Sequence, residues 1–553
     1  MLKHFYKNTW FKDILLLIFS LAILFGSFLG SRPLSVPDEA RYSEIPREMI
    51  ELSDYITPHL NYIKYFEKPP LIYWLQAASI KTFGDSEWAL RLPTALLGLL
   101  GCILTYVAGR FLYDRKTGIL SCFVLATSLL YFSMAHLITL DMAVSVFLTG
   151  SLFSFIVGIQ QEKKSIKRIL LWCCYIFAAL SFSTKGLIGI ILPGLVIFSW
   201  FLIIGQWKLL KECELITGSF LFLIIALPWY YLVQTINPEF FHFFFIDQHF
   251  SRYLTLSAGR FQPNWFFIPI LLIGFFPWVV FLFQAIKHQL PTSWKNRVFF
   301  KTEFFLLSWI ILIFSFFSIS KSKLIPYILP VFPPLALITG QYLKQAWDNK
   351  VSLKGLRISF ILLPIAGCLL STTLITLPYY QTLAEPTTAI IYLKLMSAIL
   401  LFSTLISTFI FFRKQFKYAL VILFIASMLE FIIFIIAVPY IDKRSIKPLA
   451  EKLYTMAKST DVIASYGIYF QDLPFYLKRK VMIVEWQNEL SFGMKHQAQN
   501  WMLTTPEFIK DWQQHKIQYM VIPKNLYIHL QRFNKLNGYI IGETIDNLLV
   551  KNQ

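Results

Sequence analysis

Charge is scarce in this chain. Asp, Glu, Lys and Arg together make up 15% of its 553 residues, against about 25% in a soluble domain. Apolar residues reach 56% and the mean hydropathy is +0.58, which excludes an ordinary soluble enzyme and a disordered chain. Cysteine is scarce too. Cys102, Cys122, Cys173, Cys174, Cys213 and Cys368 all fall within or beside apolar runs, so no framework of structural disulfides is expected. A P-loop, a GxGxxG fingerprint and an HExxH pair are missing, which argues against nucleotide chemistry. Negative charge is the scarcer sign: 31 acidic residues face 51 basic ones, a net charge of +20. In a soluble protein that excess would point to nucleic acid. In a membrane protein Lys and Arg collect in cytoplasmic loops simply to fix orientation, and no nucleic-acid partner is expected.

What the chain has is long apolar runs. About thirteen approach the ~20 residues that a helix needs to cross the hydrocarbon core. They centre near 13–31, 88–112, 117–135, 139–159, 169–183, 187–205, 215–233, 264–286, 303–319, 324–343, 358–378, 390–412 and 418–439. The first resembles a signal peptide but has no convincing small-residue cleavage site, and it reads as a retained helix. Basic clusters at 115–116, 163–168, 208–211, 287–301, 344–357 and 413–417 mark the cytoplasmic side, and Lys3, Lys7 and Lys12 put the N-terminus there. The outer side then holds the long segments 32–87 and 234–262 and the tail 440–553. The tail is long enough for a small domain. Its β-rich runs near 462–466, 481–486, 519–522 and 539–541 alternate with helix-like stretches, so an α/β fold is expected. The organisation is therefore an all-α polytopic membrane domain over 1–439 and an outer α/β domain over 440–553.

Polar groups gather at the outer ends of these runs. Asp38 and Glu39 follow Pro37 directly after the first span. Carboxylates at a membrane boundary can act as a base, a metal ligand or a clamp on sugar hydroxyls. They also suit a solvated loop or a helix N-cap. Lys68 precedes Pro69 and Pro70 in an aromatic-rich stretch with Tyr65. It suits a lipid phosphate, or simple snorkelling to the headgroups. Asp141 opens the fourth run, where an acid is either functional or an interfacial cap favoured by the helix dipole. In the second outer segment Arg252 can grip phosphate through two hydrogen bonds, and Asp247 and His249 can bind a metal or orient that Arg. An amphipathic interfacial helix is the plainer reading there. Lys321 and Lys323 break the positive-inside bias ahead of Pro326 and Tyr327, so an anion is expected against them. Cations and carboxylates mixed at one face fit a lipid-linked phosphosugar, with cations on the leaving phosphate and a carboxylate at the acceptor.

Pro37-Asp-Glu-Ala-Arg-Tyr42, Glu67-Lys-Pro-Pro-Leu71, Leu140-Asp-Met142 and Lys323-Leu-Ile-Pro-Tyr327 resemble the bacterial lipid A aminoarabinose transferases, within the protein O-mannosyltransferase-like GT-C superfamily. In the tail, Tyr469-Phe-Gln-Asp-Leu-Pro-Phe-Tyr-Leu477 and Asn488-Glu-Leu-Ser-Phe-Gly493 resemble the same family's periplasmic domain. The resemblance covers nearly the whole chain. It implies a GT-C fold with two juxtamembrane helices in the first loop. It also implies inverting transfer of a sugar, best read as 4-amino-4-deoxy-L-arabinose, from undecaprenyl phosphate to lipid A at the outer face of the inner membrane. Asp38 takes the family's catalytic carboxylate position, with Glu39 beside it and Asp141 as partner carboxylate near the acceptor. Lys68 and Arg252 hold the lipid phosphate, Tyr65 and Tyr327 line that pocket, and Lys321 and Lys323 are further phosphate or acceptor contacts. Glu489 takes the place of a tail ligand to a divalent ion such as zinc. The family's loop ligand falls five residues before Arg252, where this sequence departs from His and carries Asp247, with His249 nearby. The implied partners are the undecaprenyl-phosphate sugar, lipid A or another periplasmic acceptor, and membrane lipids. A monomer is expected. Two rivals remain: a transferase of the same fold acting on protein or another glycan, and a transporter of lipid-linked sugars.

Overall fold

The computed structural model describes residues 2–251, 261–290, 298–299, 301–486, 488–497, 499–534 and 536–552; the side chains of 2–8, 249–251 and 534 lie outside that description. Among the described residues nine helices are long and apolar enough to cross a membrane, and up to eleven if each of two bent pairs counts as one span. The expected thirteen runs thus resolve differently, and polar side chains and proline supply the reasons. The run 117–135 is two helices, Arg115–Ala126 and Leu129–Ala135, at 70°. At the break Thr127 and Ser128 donate their hydroxyls back to Phe123 O at 2.5 Å and Val124 O at 2.7 Å, a bond that competes with the ladder. The run 264–286 is Phe267–Gly274 and Val279–Gln289 at 102°, with Pro277 at the corner. In 324–343 the prolines Pro326 and Pro330 impose a 3₁₀ turn, Ile325–Val331, before the helix Phe332–Trp347. The apolar helix Ile188–Ile204, with 17 residues, is shorter than the nine.

The chain divides into two compact units. The first comprises Met1–Leu29, Arg91–Gln381 and Ile390–Ala437; the second comprises Gly30–Leu90, Thr382–Ala389 and Val438–Gln553. The first unit is the membrane bundle. Its central helix, Leu140–Ile159, is buried over 94% of its apolar window. Close helix approach relies on small residues: a Cβ on Gly109 would meet Gly118 Cα at 2.9 Å. A buried charge anchors the first helix. Asp13, 3% exposed, accepts from Arg110 Nη1 at 2.5 Å, Arg115 Nη2 at 2.6 Å and Tyr106 Oη at 2.9 Å, partners that such a carboxylate requires away from water.

The second unit departs from the expected boundary at 439/440, because the first long segment folds with the tail. That segment holds two helices, Asp38–Leu52 and Leu71–Phe83, and between them a short hairpin of β1 (His59–Leu60) and β2 (Ile63–Lys64). Asn61, in the hairpin turn at φ 50°, donates to Val481 O at 2.9 Å and accepts from Val481 N at 3.0 Å. Trp501 Nε1 donates to Asn61 O at 3.1 Å, and Leu34 N donates to Tyr476 Oη at 2.9 Å. The tail itself is α/β as expected. Its strands β3 (Ile463–Tyr466), β4 (Met482–Val484), β5 (Met502–Leu503), β6 (Tyr519–Pro523), β7 (Tyr539–Glu543) and β8 (Asn547–Lys551) form one sheet in the order β5-β4-β3-β6-β8-β7. The pairs β3–β4, β3–β6 and β4–β5 are parallel. Helices Asp472–Leu477 and Thr505–Gln513 lie in the connections that such pairs demand. Phe508, Trp512, Met520, Ile522 and Val550 form the core beneath the sheet.

Candidate active site

In the second unit the site is built on Asp38–Leu52. Proline at 37 stands at the helix N-cap and Asp38 is the first helical residue, with no side-chain cap, so the capping role open to Asp38 is not the one it plays. Its carboxylate is 46% exposed and meets Arg41 Nη1 at 3.1 Å, one turn on. Arg41 is the hub. Its other terminal nitrogen, Nη2, pairs with Glu489 Oε2, while Gln471 Nε2 holds Glu489 Oε1 at 3.2 Å. Among the described residues Arg41 Nε has no hydrogen-bond partner, and neither do the buried hydroxyls of Tyr65, Tyr73 and Tyr469. Burial pushes the Glu489 carboxyl up and the Arg41 charge opposes that shift. Burial also holds the Tyr65 phenol well above its usual range.

The helix is fixed from behind by further charges. Arg47 clasps Glu44 through two bonds of 2.7 and 2.6 Å and reaches Glu51 at 2.5 Å. Glu48 accepts from Tyr62 N at 2.9 Å, and burial followed by the nearby Glu44 raises its carboxyl far above the ordinary range. Glu39 is tied into this scaffold. It is 1% exposed, takes Arg32 through bonds of 2.5 and 2.9 Å, and accepts from Ser35 N at 2.8 Å. Both oxygens of Glu39, expected beside the catalytic carboxylate, are thus engaged within the scaffold. Lys68 is half-buried and stands just before Pro69 and Pro70, ahead of Leu71–Phe83.

The first unit holds a polar set of its own. Asp141 lies in the first turn of Leu140–Ile159 and pairs with Lys185, in the last turn of Lys164–Lys185. The Lys185 ammonium also lies 4.3 Å from the centroid of the Tyr327 ring, a cation–π contact. Lys323 differs from expectation. It is 2% exposed and donates to Gln262 O at 2.8 Å and Ser320 O at 2.6 Å, so it holds two chain segments together where an anion contact was expected. Lys321 is exposed. Arg252 lies outside the described residues, as does the His249 side chain. Asp247 lies in the π-type helix His242–Ser251 and faces His242 Nδ1 at 3.7 Å. Among the described residues no three His, Cys, Asp or Glu side chains gather as a metal would need, and Glu489 is neutralised by a guanidinium. The described donors alone do not make up a metal site, the His249 side chain of the expected set lies outside them, and no step is routed through an ion. Arg41, Tyr73, Tyr469, Gln471 and Lys185 had no assigned role in the sequence; only the i,i+3 spacing of Asp38 and Arg41 on a helix signalled any of these contacts.

The family model described as dolichyl-phosphate-mannose-protein mannosyltransferase matches residues 67–232, and that of the aminoarabinose transferase C-terminal domain matches 449–552. The undecaprenyl phosphate-alpha-4-amino-4-deoxy-L-arabinose arabinosyl transferase 1 of Proteus mirabilis (strain HI4320) is 31% identical over 498 residues, covering 87% of each chain. The chain belongs to this arabinosyl transferase family. A member from Yersinia enterocolitica is 34% identical over 354 residues, 63% of this chain and 61% of its own. Among solved structures, ArnT from Cupriavidus metallidurans bound to undecaprenyl phosphate matches at a TM-score of 0.87 and 26% identity, covering 98% of both chains. Its apo state matches at 0.86 and 27%, covering 99% of this chain and 98% of that one. The oligosaccharyltransferase AglB from Archaeoglobus fulgidus, at 11% identity and a TM-score of 0.51, shares the fold. As a member of the family, the chain is a multi-pass membrane glycosyltransferase of GT-C fold.

Proposed function

We propose that this enzyme transfers 4-amino-4-deoxy-L-arabinose from undecaprenyl phosphate to a phosphate of lipid A, at the periplasmic face of a bacterial inner membrane. The match along 87% of the chain to a transferase named for that donor carries the reading. The two family models divide the support. The mannosyltransferase model speaks for a polyprenyl-phosphate donor, and the aminoarabinose transferase tail model speaks for the sugar.

The proposed reaction is an in-line displacement. The bond from the anomeric carbon to the phosphate oxygen breaks, and its electron pair leaves with undecaprenyl phosphate. The acceptor oxygen closes on the opposite face. In the roles the resemblance assigns, Lys68 and Arg252 carry the growing charge on the leaving phosphate, as preorganised cations do. A phosphate acceptor is already largely anionic at neutral pH, so Asp38 orients it more than it deprotonates it. Arg41 aims Asp38, and Lys185 aims Asp141. Removal of lipid A negative charge would weaken the attraction of cationic peptides to the cell surface.

The test is sugar transfer in detergent. Purified enzyme, undecaprenyl-phosphate aminoarabinose and lipid A are incubated, and lipid A is weighed by mass spectrometry. Wild type adds the sugar and Asp38→Asn does not. No addition by wild type, while a known transferase works in the same micelles, overturns the aminoarabinose reading; addition from polyprenyl-phosphate mannose instead would replace it with the mannosyl one.

A further inference from the structure

Arg32, Arg41 and Arg444 stand around the start of the helix Asp38–Leu52. Arg32 is spent on Glu39, through bonds of 2.5 and 2.9 Å. Arg41 is buried and shared between Asp38 and Glu489. Arg444 differs from both, with a side chain 62% exposed. It follows closely on Ile441, where the last span ends. So short a link holds it within about 10 Å of that helix end, the depth at which lipid phosphates lie.

The segment that carries Arg444 is pinned along its length. Ser35 Oγ donates to Asp442 Oδ2 at 3.5 Å, and Ser35 O accepts from Glu39 N at 3.1 Å in the first turn of the Asp38 helix. Lys443 pairs with Asp546 at 2.9 Å and Lys447 with Glu87 at 2.5 Å. Ser445 Oγ and Ile446 N both donate to Asp472 Oδ2, each at 2.9 Å. The guanidinium of Arg444 is braced too: Nε and Nη2 donate to the two oxygens of Asp442, each at 2.8 Å. Asp442 thus holds one side of the group. The fork at its tip, Nη1 with the second hydrogen of Nη2, has no partner among the described residues. The bond to Asp442 strengthens the Arg444 charge most, and Asp38 and Glu39 lie close enough to add to it. A braced, exposed fork matches two oxygens of one phosphate.

We infer that Arg444 binds the acceptor phosphate and draws it up to Asp38. The inference rests on the reading of this chain as a transferase to a phosphate of lipid A. The Asp38 carboxylate repels an anionic acceptor, so a cation must stand beside it. Of the three arginines at the start of the helix, Arg444 alone is exposed and offers an open fork. The donor phosphate has its own cations in that reading, Lys68 and Arg252. The same fork could meet the phosphate of the donor or of a bulk phospholipid, and the test separates these sources.

Kinetics and binding test it on full-length enzyme in detergent, as wild type, Arg444→Gln and Arg444→Lys, each checked for an unchanged thermal midpoint. Lipid A and undecaprenyl-phosphate aminoarabinose are varied in turn. Arg444→Gln is expected to raise KM for lipid A about tenfold, the effect of one charge-assisted hydrogen bond. Its kcat and its KM for the donor should stay within about twofold, as when binding common to ground and transition states is lost. Arg444→Lys keeps the charge without the fork and should fall between. Equilibrium binding of radiolabelled lipid A without donor should weaken by the same factor in Arg444→Gln, and an equal concentration of phosphatidylglycerol should not displace it from wild type. An unchanged KM and affinity for lipid A, a rise confined to the donor KM, or displacement by phosphatidylglycerol overturns the inference. Transfer by wild type that Arg444→Gln leaves unaltered sinks the Arg444 site alone. Arg444-dependent binding of lipid A by an enzyme that transfers no sugar sinks the proposed reaction and leaves the site standing; neither binding nor transfer by wild type sinks both.

Discussion

Arg41 bridges the exposed Asp38 and the buried Glu489, so the direction of the Asp38 carboxylate depends on a residue in the tail. Replacing Glu489 by Ala leaves the guanidinium without its buried partner and free to swing. A misplacement of about 1 Å at the reacting centre costs on the order of 10²-fold in rate, and that loss is expected in kcat, with a smaller change in KM for the donor. The same geometry bears on metal. Glu489 is neutralised by Arg41, so chelation with 1,10-phenanthroline should leave the transfer rate within about twofold while Glu489→Ala lowers it. A rate that collapses on chelation and returns with zinc would restore the ligand role for Glu489. At this scale the sequence offered candidates by residue type and place. Asp38, Lys68 and Asp141 stood out by position at the ends of apolar runs. It could not show that Glu39 is bound by Arg32 or that Lys323 is bound by two carbonyls, because a side chain's partners are set by contacts that spacing does not encode.

Among the elements, the hairpin β1–β2 and the helix Ser491–His496 pack without a gap. A Cβ on Gly493 would lie 2.3 Å from Lys64 O and 2.4 Å from Ile63 Cγ2, and backbone cannot give way as a flexible side chain can. Gly493→Ala is therefore expected to destabilise the second unit by about 1–3 kcal/mol, seen as a lower thermal midpoint for that unit. A second prediction concerns pH. Asp472 is fully buried at the start of Asp472–Leu477 and accepts from Ile446 N and Ser445 Oγ, each at 2.9 Å. Burial raises its carboxyl to about 6 from 3.8, opposed by those bonds and aided by Asp442. The folded state therefore keeps a proton that the unfolded state has lost. Stability is greatest below about pH 4 as far as this group is concerned, and falls as pH rises toward 6, by about 3 kcal/mol in all. Thermal melts of wild type and Asp472→Asn across that window should diverge, the variant lacking this fall; parallel curves would refute the assignment.

For the whole molecule, the partition of the chain matters most. The segment Gly30–Leu90 belongs with Val438–Gln553, joined by Asn61 to Val481 and Leu34 to Tyr476. A chain ended at 439 therefore loses the partners of its own first segment. Limited proteolysis of that truncation should cut within 30–90 at a protease concentration that leaves the full chain intact there, while the helices of the first unit persist. If 30–90 stays protected, the boundary at 439/440 was the better division.

The sequence by itself determined the membrane class, most of the spans, the α/β nature of the tail and the family, because hydrophobic run length, period-2 patterning and ordered motifs are local properties. Four of the six tail strands were legible in the same way. The two that were not, Met502–Leu503 and Asn547–Lys551, are a two-residue edge strand and a strand at the very end of the chain. Only the tertiary structure decided where apolar runs break, since a corner depends on what Thr127, Ser128 and Pro277 bond or fail to bond. It also decided which segments fold together and which carboxylates are paired. Those facts rest on contacts between residues far apart in the chain, and burial makes each such contact count: away from water, every charge or hydroxyl must find its partner within the fold or in a ligand.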